Sequence, residues 1–249
     1  MCTPLDEVHK GPILSCCFSA DNDWLCITSA DDSATILSVR ETSSGEPRIE
    51  HHLQHLHTGS IQCGAFSPDS HTLCLVSDDS TASIVNVKTG ERERHLHSLH
   101  SGGIYSCSFS PDGQLLCLTS DDGSASLLET KDYSLVRRLQ GLHSAAIGCC
   151  CFSPDSTRLC LGSKDKTATL IEVKSGLLVR HLDNLHDDEI RCCCFSPDGT
   201  ALCLGSEDFS ACLVDVVSRK DQRRHPLVEA VGKRRRQFKG PSSTTIILG

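Results

Sequence analysis

The chain has 249 residues, of which 38% are hydrophobic and 22% charged, and its formal net charge is −8. This length supports one sizeable core, and no stretch is apolar enough to span a bilayer, so we expect a single domain without membrane association. Residues 219–249 hold nine basic and two acidic side chains, so they carry +7 and leave −15 on residues 1–218. An acidic body repels nucleic acid and suits basic partners.

The start of the chain and its cysteines indicate a reducing compartment. Met1 to Lys10 contain Asp6, Glu7 and Lys10 and no apolar run, so they do not resemble a signal peptide. The chain has 17 cysteines, and this odd number argues against a fully paired disulfide framework. We therefore expect free thiols and a cytoplasmic protein.

One pattern recurs five times along the chain. The dipeptide Phe-Ser returns at intervals of 48, 43, 43 and 43 residues, and Pro-Asp follows it in the last four copies. A His lies nine residues before each Phe, a Ser eleven after it and an Asp thirteen after it. These positions are His9, Ser29, Asp31, His57, Ser77, Asp79, His100, Ser120, Asp122, His143, Ser163, Asp165, His186, Ser206 and Asp208. Such a fixed period indicates a repeat architecture.

Each repeat predicts four short strands separated by turns. In the third repeat we predict strands over residues 104–109, 115–120, 124–129 and 135–140. Pro111 and Gly113 form a turn after the first strand, and Gly123 forms another after the second. The first repeat carries a polar insertion, Arg40 to Arg48, between its third and fourth strands. Four strands in about 43 residues are typical of one propeller blade.

These motifs resemble the WD-repeat family, over roughly residues 3–227. The resemblance implies an all-β propeller of five four-stranded antiparallel blades, in which His, Ser and Asp join a Trp in a buried hydrogen-bonded tetrad. The Trp position, six residues after the Asp, holds Leu37, Val85, Leu128, Ile171 and Val214. The family's Trp-Asp dipeptide is therefore missing from all five repeats. The indole donor is lost with it, so we expect looser packing there.

The domain boundaries follow from the repeats. We assign residues 1–227 to the propeller, with repeats near 9–50, 57–97, 100–140, 143–182 and 186–227, and residues 228–249 to a basic, disordered tail. Two arrangements remain open. Five blades close into a small ring, with Thr3 to Val8 or Lys220 to Leu227 completing the last blade. Alternatively they form an open arc, cut from a longer protein or completed by a partner chain, with exposed strand edges.

The resemblance also implies a partner-binding face, formed by the loops that enter the first strand and leave the second strand of each blade. The residues that we select there are Gln62, Asp78, Tyr105, Asp121, Lys164, Glu189, Arg191 and Glu207. Asp78, Asp121 and Tyr105 predict an acidic, aromatic patch suited to a peptide with Arg or Lys. The alternative is an ordinary solvated rim.

Neither catalysis nor metal binding is favoured by the sequence. The Ser, His and Asp trio recurs five times, whereas an active site normally occurs once, so we predict that the protein is not an enzyme. Residues 149–151 and 192–194 are runs of three cysteines, and neighbours on a strand point to opposite faces, so one run cannot chelate one ion. We therefore predict packing cysteines, with no metal and no cofactor.

The predicted function is a protein-interaction scaffold or adaptor within a larger assembly. One alternative is a thiol-based protein that responds to redox state or metals. Another is a nucleic-acid-associated or nuclear protein acting through the tail residues Lys233, Arg234, Arg235, Arg236 and Lys239. The same tail could instead fold back on the acidic body. A last possibility is a truncated product with little function of its own.

Overall fold

The computed structural model describes residues 8–40 and 48–216, and all regular structure in these ranges is β-strand. The strands form five antiparallel sheets, four of them four-stranded and the last three-stranded within the described residues. The predicted all-β class and its repeated antiparallel blades are therefore confirmed. Across the same ranges, no helix has the length and apolarity needed to cross a bilayer.

The sheets are called blades one to five in chain order. Blade one comprises β1 (Ile13–Phe18), β2 (Trp24–Ser29), β3 (Ala34–Ser38) and β4 (Arg48–Leu53). Blade two comprises β5 (Ile61–Phe66), β6 (Thr72–Ser77), β7 (Ala82–Asn86) and β8 (Arg92–Leu96). Blade three comprises β9 (Ile104–Phe109), β10 (Leu115–Ser120), β11 (Ala125–Glu129) and β12 (Leu135–Leu139). Blade four comprises β13 (Ile147–Phe152), β14 (Arg158–Ser163), β15 (Ala168–Glu172) and β16 (Leu178–Leu182). Blade five comprises β17 (Ile190–Phe195), β18 (Ala201–Ser206) and β19 (Ala211–Asp215).

Within each blade the strands pair in chain order. The first strands of consecutive blades contact one another, from β1 through β5, β9 and β13 to β17, so they lie innermost around a central channel. The third and fourth predicted strands of blade three were each one residue too long. Ser124 belongs to the preceding turn, where its N–H donates to Asp122 Oδ1 at 3.0 Å, and Gln140 lies beyond the end of β12.

The turns that separate the strands are built by side chains and left-handed residues. After β9, Ser110 Oγ donates to Asp112 Oδ1 at 2.5 Å and accepts from Leu115 N–H at 2.9 Å. Gly113 has a φ of 72° in this turn, a conformation that suits glycine. The equivalent turns use Asn22, Ser70, Ser156 and Gly199, all with positive φ. This turn chemistry ends each inner strand at its Phe.

Four apolar clusters join consecutive blades. Phe109 of blade three packs against Cys74 and Ile84 of blade two, and Phe152 of blade four packs against Cys117 and Leu127 of blade three. The other two clusters join blades one and two and blades four and five in the same way. The backward face of each blade, which carries the Phe, therefore packs on the forward face of the blade before it.

No comparable cluster joins blade five to blade one among the described residues. Phe18, on the backward face of blade one, is 64% exposed, whereas Phe109 is 9% exposed. Leu213, on the forward face of blade five, is 50% exposed, whereas its counterpart Leu170 is 2% exposed. In the part of the chain that the structure describes, these two faces thus lack the neighbouring blade that covers their equivalents elsewhere.

Several predictions concern residues outside the described ranges. The closing strands proposed at Thr3 to Val8 and at Lys220 to Leu227 fall there, except Val8, which is not in a strand. The basic tail, residues 228–249, also falls outside them. The polar insertion lies between β3 and β4, as predicted, and its residues 41–47 are not described.

Candidate functional site

A His–Asp pair in each blade connects the loop before the inner strand to the turn after the second strand. In all five blades the His Nδ1 lies 3.1 to 3.4 Å from an Asp carboxylate oxygen. The residue after the His donates its N–H to the same carboxylate, as Thr58 does to Asp79 Oδ2 at 2.9 Å. The His side chains of blades two to five have no exposed surface, so each pair is a buried, charge-assisted connection.

The Ser of the predicted tetrad takes a different place. Ser120 Oγ donates to the Gly102 carbonyl at 3.1 Å and accepts from Asp122 N–H at 3.1 Å, with no bond to His100 among the described contacts. Ser29, Ser77 and Ser206 make the same two kinds of bond, and Ser163 donates to the carbonyls of residues 145 and 146. This Ser therefore fixes the backbone around the Asp rather than the imidazole.

A hydroxyl two residues after each Asp bridges the Asp and the His instead. Ser124 Oγ lies 2.6 Å from Asp122 Oδ1 and 3.1 Å from His100 Nδ1. Ser33, Thr81, Thr167 and Ser210 occupy the same position in the other blades. Partial burial raises the pKa of Asp122, but hydrogen bonds from Ser124 and the Ser101 N–H outweigh it and hold that pKa at about 2. Each blade thus keeps a charged Asp.

The other imidazole nitrogen is satisfied in only some blades. Thr35 Oγ1 lies 3.0 Å from His9 Nε2, and Thr169 Oγ1 lies 3.0 Å from His143 Nε2. Blades two and three have a Ser in this register, and there the hydroxyl and Nε2 atoms have no partner among the described residues. Those four atoms are Ser83 Oγ, Ser126 Oγ, His57 Nε2 and His100 Nε2.

The positions that hold Trp in the family are filled by buried aliphatic side chains. Leu37, Val85, Leu128 and Ile171 have no exposed surface, and Val214 is 3% exposed. The outer strand adds a basic side chain beside the network in blades three and four. The His181 ring lies 6.5 Å from that of His143, and in blade three Arg138 Nη2 lies 3.0 Å from Asp122 Oδ2.

Five of the eight predicted partner-binding residues meet at one mouth of the central channel. They line a cavity of about 250 Å³ together with Leu14 and Gly148. The five are Gln62, Asp78, Tyr105, Lys164 and Arg191. Every blade contributes one residue from its inner strand, five positions after the His, so the channel mouth is built by the repeat.

Pairs of side chains within blades two, three and five organise the channel mouth. Gln62 Nε2 donates to Asp78 Oδ2 at 2.7 Å, and Tyr105 Oη donates to Asp121 Oδ1 at 3.0 Å. Burial and this bond to Asp121 raise the pKa of Tyr105 to about 12, so the phenol stays protonated. The three remaining predicted residues, Asp121, Glu189 and Glu207, thus lie beside the cavity as partners of residues that line it.

Arg191 and its two acidic partners form the pair in blade five. Its guanidinium donates to Glu207 Oε1 at 2.6 and 2.8 Å through two nitrogens. Nη2 also lies 2.9 Å from Glu189 Oε2, as an ion pair rather than a directed hydrogen bond. The Arg side chain is therefore held in one position at the channel mouth.

Blade four breaks the pattern, because Gly148 stands where the other blades have a side chain. Lys164 therefore lacks an inner-strand partner in its own blade and reaches blade three instead. Its ammonium lies 4.5 Å from the centroid of the Tyr105 ring and 3.9 Å from Asp121 Oδ1. A Cβ added at Gly148 would meet only the Ile190 carbonyl oxygen, at 3.5 Å, so this side of the channel mouth has free space.

A wider depression, of about 370 Å³, lies beside His143, Asp165 and His181. Its lining residues belong to the His–Asp connection of blade four, whose counterparts occur in every blade. Because nothing in its lining is particular to this one place, the channel mouth is the stronger candidate for partner binding.

The thiols also gather at the blade interfaces. None of the 16 cysteines of the described residues forms a disulfide, and nine of them are buried. Cys151, Cys160 and Cys193 bring their sulfur atoms within 4.8 Å of one another. A hydrogen bond to Cys160, together with burial, raises the pKa of Cys151 well above its usual value. The prediction that one Cys run cannot surround an ion agrees with this geometry, but it overlooked that three different strands bring thiols together.

Comparison with protein families found one match. The family described as WD domain, G-beta repeat matches residues 2–36, 92–127, 134–171 and 178–215. The last three stretches each begin at or next to the outer strand of one blade and end in the third strand of the next. Each of these three matched stretches therefore straddles two blades. No curated protein matches the chain.

Proposed function

The chain belongs to the WD domain, G-beta repeat family, and on that premise we propose that it is a scaffold that binds a peptide segment of a partner protein at the channel mouth. Repeats of this family generally mediate protein–protein interaction and scaffolding, and its propellers are typically not enzymes.

The observation that carries the proposal is the asymmetry of the channel mouth, where blade four has Gly148 and every other blade has a side chain. In blades two, three and five a side chain from the inner strand bonds an acidic residue of its own blade. In blade four that side chain is missing, and the Lys164 ammonium lies over Tyr105 instead. A cavity of about 250 Å³ with charged and aromatic walls on a rigid scaffold is suited to one anchoring side chain of a peptide.

The charges at the channel mouth favour a basic anchor. Acidic side chains outnumber basic ones there, four to two. The acids are Asp78, Asp121, Glu189 and Glu207, and the bases are Lys164 and Arg191. The carboxylate of Asp78 is bonded only by the neutral Gln62 in the described contacts, and it retains acceptor capacity for a guanidinium. We therefore propose a partner segment with an exposed Arg or Lys, met in the cytoplasm, where the thiols stay reduced.

The test is a peptide-array screen with the purified chain, followed by binding measurements on the best sequences. We expect enrichment of Arg- or Lys-containing peptides. Gly148→Gln should fill the cavity and weaken binding about tenfold or more, and Asp78→Asn should weaken it by about 1.5–3 kcal/mol, the value of a hydrogen bond to a charged group. Glu91→Ala, which removes an exposed acid away from the channel mouth, should bind as the wild type does. Unchanged binding by both channel-mouth variants would refute this site.

A further inference from the structure

Three thiols meet at the interface between blades four and five. Cys151 and Cys160 stand opposite each other on β13 and β14, on the face of blade four that packs against blade five. Cys193 reaches this point from β17, the inner strand of blade five. The three sulfur atoms all lie within 4.8 Å of one another.

The repeat shows that this cluster is particular to one interface. The same three register positions occur between the other described neighbouring blades, and each of those interfaces has a non-thiol residue at one of them. Gly64 replaces a Cys between blades one and two, Ala65 between blades two and three, and Ser108 between blades three and four. Among the described interfaces, only that between blades four and five therefore presents three thiols.

The surroundings of the cluster select the kind of ligand. The interface around the three thiols is lined by apolar side chains such as Leu170, Ile190 and Leu204, and among the described residues no carboxylate or imidazole joins the cluster. Hard cations such as Mg²⁺ and Ca²⁺ require oxygen ligands, whereas thiolates select soft cations. Metal–sulfur bonds of about 2.3 Å place sulfur atoms about 4 Å apart, so small side-chain rotations would close the cluster around an ion.

We propose that Cys151, Cys160 and Cys193 form a binding site for one soft d¹⁰ cation, Zn²⁺ or Cu⁺. Binding replaces three S–H bonds by three metal–sulfur bonds and releases three protons to solvent, with no oxidation or reduction. Because the ligands come from two blades, the ion would connect β17 to blade four. Metal binding would then stabilise the packing of blade five.

Cys149 distinguishes the two cations. It lies on the same face of β13 as Cys151, in the apolar cluster against which Cys151 and Cys193 both pack. Zn²⁺ in structural sites is almost always tetrahedral and needs a fourth ligand, which Cys149 can supply. Cu⁺ is satisfied by three thiolates. Loss of Cys149 should therefore weaken Zn²⁺ binding and leave Cu⁺ binding unchanged.

The test is a titration of the reduced full-length chain with Zn²⁺, and separately with Cu⁺, each in competition with a chromogenic chelator. We expect one tightly bound ion per chain and a rise in the midpoint of thermal unfolding. Cys151→Ser, Cys160→Ser and Cys193→Ser should each lower the affinity about 100-fold or more, beyond the roughly 10–100-fold expected from changes outside the ligand set. Cys151→Ser is a mild change, because blade three has Ser108 in that register.

Cys150→Ser is the matched control. Cys150 lies between Cys149 and Cys151 in the sequence, but it packs in the apolar cluster on the opposite face, towards blade three, so its loss should leave the bound ion in place. Equal affinity of wild type and Cys151→Ser for both ions would overturn the proposal. Should the variants fail to fold, alkylation of the wild-type chain decides: added ion should slow modification of Cys151, Cys160 and Cys193 and not of the exposed Cys16. Equal rates with and without ion would likewise overturn it.

Discussion

At the scale of single residues, blades two and three each bury two polar atoms that have no partner among the described residues. Ser83 and Ser126 occupy the register in which Thr35 and Thr169 bond a His Nε2 at 3.0 Å. A buried polar atom without a partner costs about 1–3 kcal/mol. A threonine in this register should therefore stabilise a blade more than a serine does.

We expect Ser83→Thr to stabilise the protein by about 0.5–1.5 kcal/mol, because its hydroxyl should reach His57 Nε2 as Thr169 reaches His143. The reverse change, Thr169→Ser, should destabilise it by a similar amount. Chemical denaturation of the two variants measures both effects. A loss of stability in Ser83→Thr would show that the extra methyl group is not accommodated in blade two.

The turn that follows the Asp of each His–Asp pair contains a residue in the left-handed conformation. The next residue has positive φ in every blade, and it is Gly123 in blade three but Phe209, with a φ of 66°, in blade five. Phe209 is 99% exposed, so it loses no packing when replaced. Phe209→Gly should raise stability by about 0.5–1 kcal/mol, because the left-handed conformation costs a non-glycine residue about 1–2 kcal/mol. Gly123→Ala should lower the unfolding free energy. Thermal unfolding measures both variants, and a lower midpoint for Phe209→Gly together with a higher midpoint for Gly123→Ala would exclude this explanation.

At the scale of one blade, the His–Asp pairs make stability depend on pH. Burial lowers the pKa of His57, His100 and His143, although their Asp partners act in the opposite direction. The unfolded chain, in which the pKa of His is about 6.5, then binds protons more readily than the folded chain. The stability of the folded state is therefore retained above about pH 6.5 and declines as the pH falls below it.

We expect the thermal midpoint to decrease as the pH is lowered from 7.5 to 5.5, a range in which the carboxylates of the His–Asp pairs do not yet titrate. The pKa of Asp79, Asp122 and Asp165 is also lowered, so their contribution is lost only below about pH 4. His100→Gln should lower the midpoint at pH 7.5 and reduce its further decline towards pH 5.5. A constant midpoint across this interval would contradict the assignment.

Within a blade, features that depend on local bonds could be predicted from the sequence, and features that depend on distant parts of the chain could not. The inner strands and their turns could be predicted because Ser110, Pro111 and Gly113 act locally, through bonds to neighbours a few residues away. The orientation of the Ser120 hydroxyl towards Gly102 could not, because it depends on a loop 18 residues away. The Lys164 contact with Tyr105 and the three-thiol cluster cross between blades, so spacing along one repeat could not reveal them.

At the scale of the whole molecule, the two faces that no described blade covers predict association. Phe18 on blade one and Leu213 on blade five are exposed, and their counterparts at the four internal interfaces are partly or fully buried. Burying a Phe side chain contributes about 1.5–3 kcal/mol, so these faces favour contact with each other or with another chain. The two faces are different, so contact between copies would be head to tail.

We expect light scattering to show an average mass that rises with protein concentration. Phe18→Asp should shift the sample towards the monomer, because it places a charge on the backward face of blade one. Leu178→Asp, which changes an exposed apolar side chain on the outer strand of blade four, is the control and should associate as the wild type does. A monomeric mass at every concentration would mean that the two faces are covered within one chain.

The order of the strands along the chain, read with the offset between repeat and blade, also predicts how the blades assemble during synthesis on the ribosome. The last three matched stretches each start at or next to the outer strand of one blade and continue into the next blade. Blades two, three and four therefore receive their last strand with the first residues of the following repeat. A nascent chain that has just produced β11 therefore holds a three-stranded blade until β12 emerges. Folding then proceeds vectorially, with each new repeat completing the blade behind it. Pausing translation between β11 and β12 would prolong the exposure of an unpaired edge.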